Sequence, residues 1–202
     1  MTPDLVVWDF DGVLNANMVE GRFVWSDAMQ GDLGLDPRAF EAHLFRSGKM
    51  SAIIRGQHDL RNVVADWLAT QETDLSAEAL LAYWFDKDAR LDGQVLGWVQ
   101  AFGGRSVIGT NNEARRAAYI EKTMGLGALV ETVFASGRLG VAKPDQGFFA
   151  EIERWSGLAG PQILLVDDNL RNVKAAQHRG WQGVHIGETT RATLPALLGL
   201  GA

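Results

Sequence analysis

The sequence predicts an α/β protein: a Rossmann-like, doubly wound parallel sheet carrying an inserted α-helical cap. Three observations carry that expectation. Short continuous apolar runs at Leu5–Trp8, Ser106–Gly109 and Ile163–Val166, with a weaker one at Gly183–Ile186, read as buried strands. Helical patterns at Asn112–Met124, Asp145–Trp155 and Leu170–Arg179 separate them, and strands alternating with helices imply parallel βαβ units. The interval from Asn15 to Asp92 breaks the alternation, with helical spacing and no convincing apolar strand run.

The first run ends in Asp9-Phe10-Asp11-Gly12, polar residues at the carboxyl mouth of a strand, where ligands of such sheets bind. In the interval that follows, Asp36-Pro37 opens one helix, Leu60–Ala69 forms a second, and Ser76–Phe85 a third. Ser76 supplies the N-cap of that third helix, with the acidic Glu78 in its first turn. The division that results is an α/β core at 1–14 and 93–202 and a helical insertion at 15–92. No tandem repeat, low-complexity tract or flexible linker interrupts it.

Composition narrows the function classes. A chain of 202 residues suits one α/β domain with a modest insertion, and 47% hydrophobic against 22% charged residues allows a real core. The net charge of -6, with no face rich in Lys and Arg, argues against a nucleic-acid partner. With no cysteine, disulfides, thiolate catalysis and Cys-ligated zinc are excluded, and a reducing cytoplasm fits. Met1-Thr2-Pro3-Asp4 lacks the basic start of a signal peptide, and runs such as Leu80–Phe85 fall far short of the ~20 residues of a membrane span. A soluble, cytoplasmic protein with no membrane partner is expected. His43, His58, His178 and His185 show no metal-ligand spacing and are read as surface or structural residues.

Four polar clusters carry the chemistry. In Asp9-Phe10-Asp11-Gly12-Val13, residues two apart in extended chain point the same way, so both carboxylates face one site while Phe10 faces the core. Carboxylates so close repel unless a cation lies between them or one is protonated. Thr110-Asn111 offers a hydroxyl and backbone N–H groups to phosphate oxygens, or simply caps the helix starting near Asn112. In Lys143-Pro144 the proline suits the first turn of the next helix and biases Lys143 to an extended conformation, aiming its ammonium at phosphate and a nearby carboxylate; a lysine before proline is otherwise just solvated. Asp167-Asp168-Asn169 adds a second acidic pair, with Asp168 alternatively an N-cap. Asp9, the Asp11 backbone carbonyl, one carboxylate of the Asp167/Asp168 pair, phosphate and water would satisfy the octahedral oxygen preference of Mg2+.

Together and in this order, Asp9-Phe10-Asp11-Gly12-Val13, Thr110-Asn111, Lys143-Pro144 and Asp167-Asp168 resemble the four motifs of the haloacid dehalogenase superfamily. The likeness spans roughly residues 1–15 and 93–190, and the string Asp167–Ala176 with Gly180 is especially typical. The resemblance implies that Asp9 is the nucleophile and Asp11 the proton donor and then acceptor. Thr110, Asn111 and Lys143 would hold phosphate, and Asp9, Asp11, Asp167 and Asp168 would supply the magnesium site. Its dehalogenase members generally lack an acid two residues after the nucleophile, so Asp11 points to phosphate chemistry. The insertion resembles the helical cap of small phosphatases acting on sugar 1-phosphates and of the phosphatase domain of soluble epoxide hydrolases. Within Ile53-Ile54-Arg55-Gly56-Gln57, Ile54 stands where those often have Glu; Arg55 is the cap residue expected at the substrate, or else a solvated helix-end arginine. Trp25, Trp67, Trp84 and Phe85 line a binding mouth or, as their helical spacing favours, fill the cap core.

The expectation is a magnesium-dependent phosphohydrolase acting on a small phosphorylated metabolite, such as a sugar phosphate, through an aspartyl phosphate. A phosphomutase of the same superfamily uses the same nucleophile. A receiver-like phosphoacceptor module shares the residue types, but its acidic pair comes first, its acceptor Asp lies mid-chain, and it has no helical insertion.

Overall fold

The four apolar runs become strands of one parallel sheet, and alternate residues along them part to its two faces. The computed structural model describes residues 2–201. In chain order, β1 (Leu5–Trp8) is followed by β2 (Met18–Val19) and β3 (Arg22–Phe23), then α1 (Met29–Leu33), α2 (Pro37–Glu41), α3 (Lys49–Ile53), α4 (Leu60–Leu68) and α5 (Ala77–Asp88). Next come α6 (Gly93–Ala101), β4 (Arg105–Thr110), α7 (Ala114–Ala118), β5 (Val133–Ala135), α8 (Ser136–Leu139) and α9 (Gln146–Ser156). The chain closes with β6 (Ile163–Asp167), α10 (Leu170–His178), β7 (Gln182–His185), α11 (Glu188–Arg191) and α12 (Leu194–Leu197). Single π turns, Ala42–Arg46 and Tyr119–Thr123, continue α2 and α7.

The sheet runs β5-β4-β1-β6-β7, every pair parallel, with Trp8 in register with both Ile108 and Val166. Val6, Trp8, Ile108, Leu164 and Val166 pack on one face with Val95, Val99 and Leu194. Leu5, Val7, Val107, Ile163 and Leu165 pack on the other with Phe148, Phe149 and Ile152. Coverage on both faces explains why these strands read as unbroken apolar runs, and each buried aliphatic side chain contributes about 1.5–3 kcal/mol. β7 lies at the edge and is only half buried, which is why its apolar run is weaker. The strand order reverses about β1, so the carboxyl ends of β4, β1 and β6 frame the crevice where such sheets bind ligands.

A third apolar cluster draws its buried residues from positions 25 to 85, among them Trp25, Met29, Phe40, Leu80 and Phe85. Trp67 and Trp84 join it, and Trp84 stacks on Trp25 with ring centroids 4.6 Å apart. Asp36, Asp59 and Ser76 each accept a backbone N–H at the start of α2, α4 and α5. The insertion is not wholly helical, because β2 and β3 form an antiparallel hairpin inside it. Strands of two residues carry no alternation to read. Where the chain leaves and re-enters the sheet layer, the two crossings bind each other: Arg90 N–H donates to Asn15 Oδ1, Asn15 Nδ2 to the Asp88 carbonyl and Ala16 N–H to the Arg90 carbonyl, each at 2.7 Å.

Local readings needed further correction. Helix α7 is capped by Glu113, which accepts the Arg115 and Arg116 N–H groups, not by Thr110 or Asn111. Asn169, not Asp168, caps α10. Pro144 lies ahead of α9, whose N-cap is Asp145, and the Lys143–Pro144 peptide is cis. Strand β5, three residues long, and helix α6 are elements the sequence patterns did not disclose. Among the described residues, no helix is long and apolar enough to cross a membrane.

Candidate active site

β1 delivers Asp9 to the crevice, and the Asp9 N–H still donates to the Val166 carbonyl at 2.9 Å, as though the strand ran one residue further. Thr110 ends β4 and Asp167 ends β6, the two neighbours of β1, so the three side chains arrive side by side. Phe10 turns into the core, fully buried, as the two-residue period requires.

Lys143 reaches this point from a loop between α8 and α9 and not from a strand end. Asn111 holds that loop by a reciprocal pair: Lys143 N–H donates to Asn111 Oδ1 and Asn111 Nδ2 donates to the Lys143 carbonyl, both at 2.8 Å. The amide of Asn111 is thereby committed to the lysine backbone. The Lys143 ammonium, in a side chain only 1% exposed, lies 3.0 Å from Asp9 Oδ1 and 2.6 Å from Asp167 Oδ2. Asp167 also accepts from Asn172 Nδ2 and from the Asn169 N–H.

Asp9, Asp167 and Asp168 each present a carboxylate oxygen within 4.8 Å of the others. Gly12 makes room for this trio. Its φ is +72°, and a Cβ there would land on Asp168 Oδ2. Burial, then the charge of Asp167, push the Asp9 carboxyl well above the usual range, while Lys143 pulls it down. Burial and Asp167 likewise raise Asp168 to about 6. Burial pulls Lys143 down, yet the charges of Asp9 and Asp167 hold it above its ordinary value. Three carboxylates against one ammonium leave a deficit of positive charge. Oxygen-only donors at this spacing fit a hard divalent cation.

Asp11 stands beside the trio, held by two amides. Asn17 Nδ2 donates to its Oδ1 at 2.7 Å and Asn112 Nδ2 to its Oδ2 at 2.8 Å. Asn112 Nδ2 also donates to Thr110 Oγ1 at 2.7 Å, tying the buried Thr110 to Asp11. Asp9, Asp11, Thr110, Lys143 and Asp168 thus share one place in the fold. Arg55 does not join them: its guanidinium lies 2.9 Å from Asp145 Oδ2, linking the insertion to the start of α9. His185 Nε2 lies 2.8 Å from the Asp168 carbonyl oxygen, a structural contact.

A second polar group escaped sequence reading. Asp88 accepts from Arg116 Nη2 at 2.5 Å and from Asn17 Nδ2 at 2.9 Å, and both Asp88 and Arg116 are buried. Arg116 Nη1 also donates to the Phe85 carbonyl, and its guanidinium lies over the rings of Phe10, Phe85 and Tyr119. A charged residue on the same face as Ala117 and Ile120 was the available signal for Arg116. Asn17 had none.

No family model matches the chain. Among curated proteins it is similar to the chloroplastic phosphatidylglycerophosphate phosphatase 1 of Chlamydomonas reinhardtii, 29% identical over 158 residues that make up 68% of this chain and 53% of that one. The chain therefore spans about half the length of that relative. It is also similar to a sesquiterpene phosphatase of Aspergillus oryzae, 36% identical over 58 residues, 29% of this chain and 30% of the other. With phosphoglycolate phosphatase 1 of Pseudomonas aeruginosa it is 24% identical over 183 residues, 88% of this chain and 67% of that one. Among solved structures, a predicted HAD-like family hydrolase of Porphyromonas gingivalis superposes with a TM-score of 0.75 at 17% identity, covering 98% of each chain. A HAD family enzyme of Bacteroides thetaiotaomicron, crystallised with magnesium and inorganic phosphate, gives 0.73 at 15% identity, covering 92% of this chain and 94% of that one. The L-2-haloacid dehalogenase of Xanthobacter autotrophicus gives 0.67 at 18% identity, over 100% of this chain and 84% of the other.

Proposed function

We propose that this chain, whose fold is that of the haloacid dehalogenase-like hydrolases, is a magnesium-dependent phosphatase of small phosphate monoesters. One observation carries the reading: a carboxylate at the end of β1 is gripped by a buried lysine and faced by two further carboxylates, with Asp11 two residues on. The curated relatives, all named as phosphatases, support it.

In this reading an Asp9 carboxylate oxygen forms a bond to phosphorus while the ester P–O bond breaks, and Asp11 gives its proton to the departing alkoxide. Asp11 then takes a proton from the water that attacks the aspartyl phosphate. Inorganic phosphate leaves and both carboxyls return to their starting state, so one difficult step becomes two easier ones. Lys143 orients Asp9 and offsets phosphoryl charge, Thr110 holds a phosphoryl oxygen with the backbone around Asn111, and Asn111 fixes the lysine loop. Asp9, Asp167, Asp168 and the Asp11 backbone would hold Mg2+, which when bound would neutralise charge between nucleophile and phosphate. An acid two residues beyond the nucleophile favours phosphate transfer over dehalogenation.

The division into a core at 1–14 and 93–202 and a cap at 15–92 belongs to the same proposal, supported by the separate apolar cluster and the paired crossings. Arg55, tied to Asp145, would hold cap to core. Free phosphate release, followed on a panel of esters with and without Mg2+, separates a phosphatase from a phosphomutase, which returns an isomerised ester without release. Asp9→Asn should lower kcat by at least 10³-fold with an unchanged circular dichroism spectrum; turnover within tenfold of wild type would remove Asp9 as nucleophile.

A further inference from the structure

Beneath the insertion a cavity of about 200 Å³ opens beside the reacting centre. Asp11, Phe23 and Asn111 line both it and the crevice that holds Asp9 and Asp168, so the two adjoin. Asp11, the proposed proton donor to the leaving oxygen, borders both spaces, so an alcohol leaving beside it lies within reach of the cavity.

Eight of the fourteen side chains lining it are apolar. Phe23, Trp25, Phe45, Met50, Ile54 and Trp84 come from the hairpin, the helices and the adjoining turns of the insertion and line the space. The polar groups on the remaining wall are already engaged with protein. Asp88 and Arg116 hold each other, and Arg116 also holds the Phe85 carbonyl. Both ends of the Asn111 amide are committed to Lys143, the Asn112 amide nitrogen serves Asp11 and Thr110, and Glu113 caps α7. A sugar entering here would meet mostly apolar side chains and few free partners, the Asn112 amide oxygen among them, so most of its hydroxyls would lose water without replacement. A hydrocarbon would exchange water for aromatic and aliphatic contact. At ~30 Å³ per water-sized group, the space suits roughly six or seven such groups.

We infer that the substrate is the phosphate monoester of a hydrophobic alcohol, whose hydrocarbon portion fills this cavity. The inference rests on the phosphatase reading and specifies the leaving group within it; it displaces sugar phosphates as the expected substrates.

Two measurements test it, the second independently of turnover. In the first, kcat/KM is compared for methyl, n-hexyl and benzyl phosphate and for glucose 1-phosphate, with Mg2+ present. Hexyl or benzyl phosphate should exceed methyl and glucose phosphate by at least tenfold, and Ile54→Asn should cut the hexyl-to-methyl ratio at least tenfold. Equal or better turnover of glucose 1-phosphate overturns the inference and leaves the phosphatase reading standing. In the second, non-hydrolysable n-hexylphosphonate and methylphosphonate are titrated against the fluorescence of Trp25 and Trp84. Saturable quenching or blue shift by hexylphosphonate at tenfold lower concentration than methylphosphonate supports the cavity assignment even if no ester is turned over. The same affinity for both phosphonates overturns it.

Discussion

Asn17 joins Asp11 to Asp88: one amide nitrogen donates to Asp11 Oδ1 at 2.7 Å and to Asp88 Oδ1 at 2.9 Å. It lies on the outgoing crossing to the insertion, and Asp88 on the returning one, so a proposed catalytic acid and both crossings meet at a single side chain. Asn17→Leu keeps the volume and removes the donor, leaving two carboxylates to face each other. Hydrogen bonds to charged groups contribute about 1.5–3 kcal/mol, so a stability loss of that size is expected, with kcat reduced about tenfold or more. Urea unfolding and steady-state kinetics read the two effects; a variant matching wild type in both would show that Asn17 holds nothing in place.

Asp88 should make stability depend on pH. Burial and the charge of Asp11 raise its pKa from 3.8 to about 6, against the lowering effect of Arg116. The sign follows: between those values the folded state keeps the proton and the unfolded chain has released it, so stability falls as pH rises from about 4 to about 6. The full decline attributable to this group is roughly 3 kcal/mol at 1.36 kcal/mol per pKa unit. Asp88→Asn, although less stable overall for leaving Arg116 unpaired, should lose that part of the decline. Parallel pH–stability curves for the two proteins from pH 4 to 7 would contradict this.

Gly12 is required twice, once by its left-handed φ of +72° and once by the approach of Asp168. Gly12→Ala should cost about 1–2 kcal/mol for the backbone alone. By displacing Asp168 it should also weaken Mg2+ at least tenfold. Thermal shift titrations with Mg2+ read both quantities, and an unaltered Mg2+ midpoint would mean Asp168 is not a ligand.

Magnesium should stabilise the folded chain whether or not any ester is turned over. Saturation at 100 times Kd adds about 2.7 kcal/mol, and a chelator should remove that increment. Asp168→Asn should abolish most of it, since the site loses one of three carboxylates. A denaturation midpoint indifferent to Mg2+ and to chelator in the wild type would end the metal assignment.

Legibility in the sequence followed the range of the interactions. Leu5–Trp8 and Ile163–Val166 were readable because strands covered on both faces must be apolar at every position. Ser76 and Asp36 were readable because a cap is a contact over two or three residues. Strand β5 failed the same test, since three residues give no period. The Glu113 cap is hidden because Thr and Asn are the usual N-cap types, and only geometry shows that the glutamate turns back to the N–H groups.

By itself the sequence determined four of the five strands of the parallel sheet and the helices α9 and α10 between them, and it singled out the acidic, hydroxyl and lysine residues proposed for the site. The strands and helices are written in local patterns, and the placing of Asp9, Thr110 and Asp167 follows from the tendency of parallel sheets to gather strand ends. Only the tertiary structure decided that Lys143 arrives from a loop clamped by Asn111, that Asn17, Asp88 and Arg116 form a buried polar group, and that aromatic and aliphatic side chains of the insertion turn onto the space beside Asp11. Those facts depend on contacts between residues 28 to 101 positions apart. Whether a polar side chain faces a ligand or is spent on a neighbour is decided by distances that no spacing along the chain encodes.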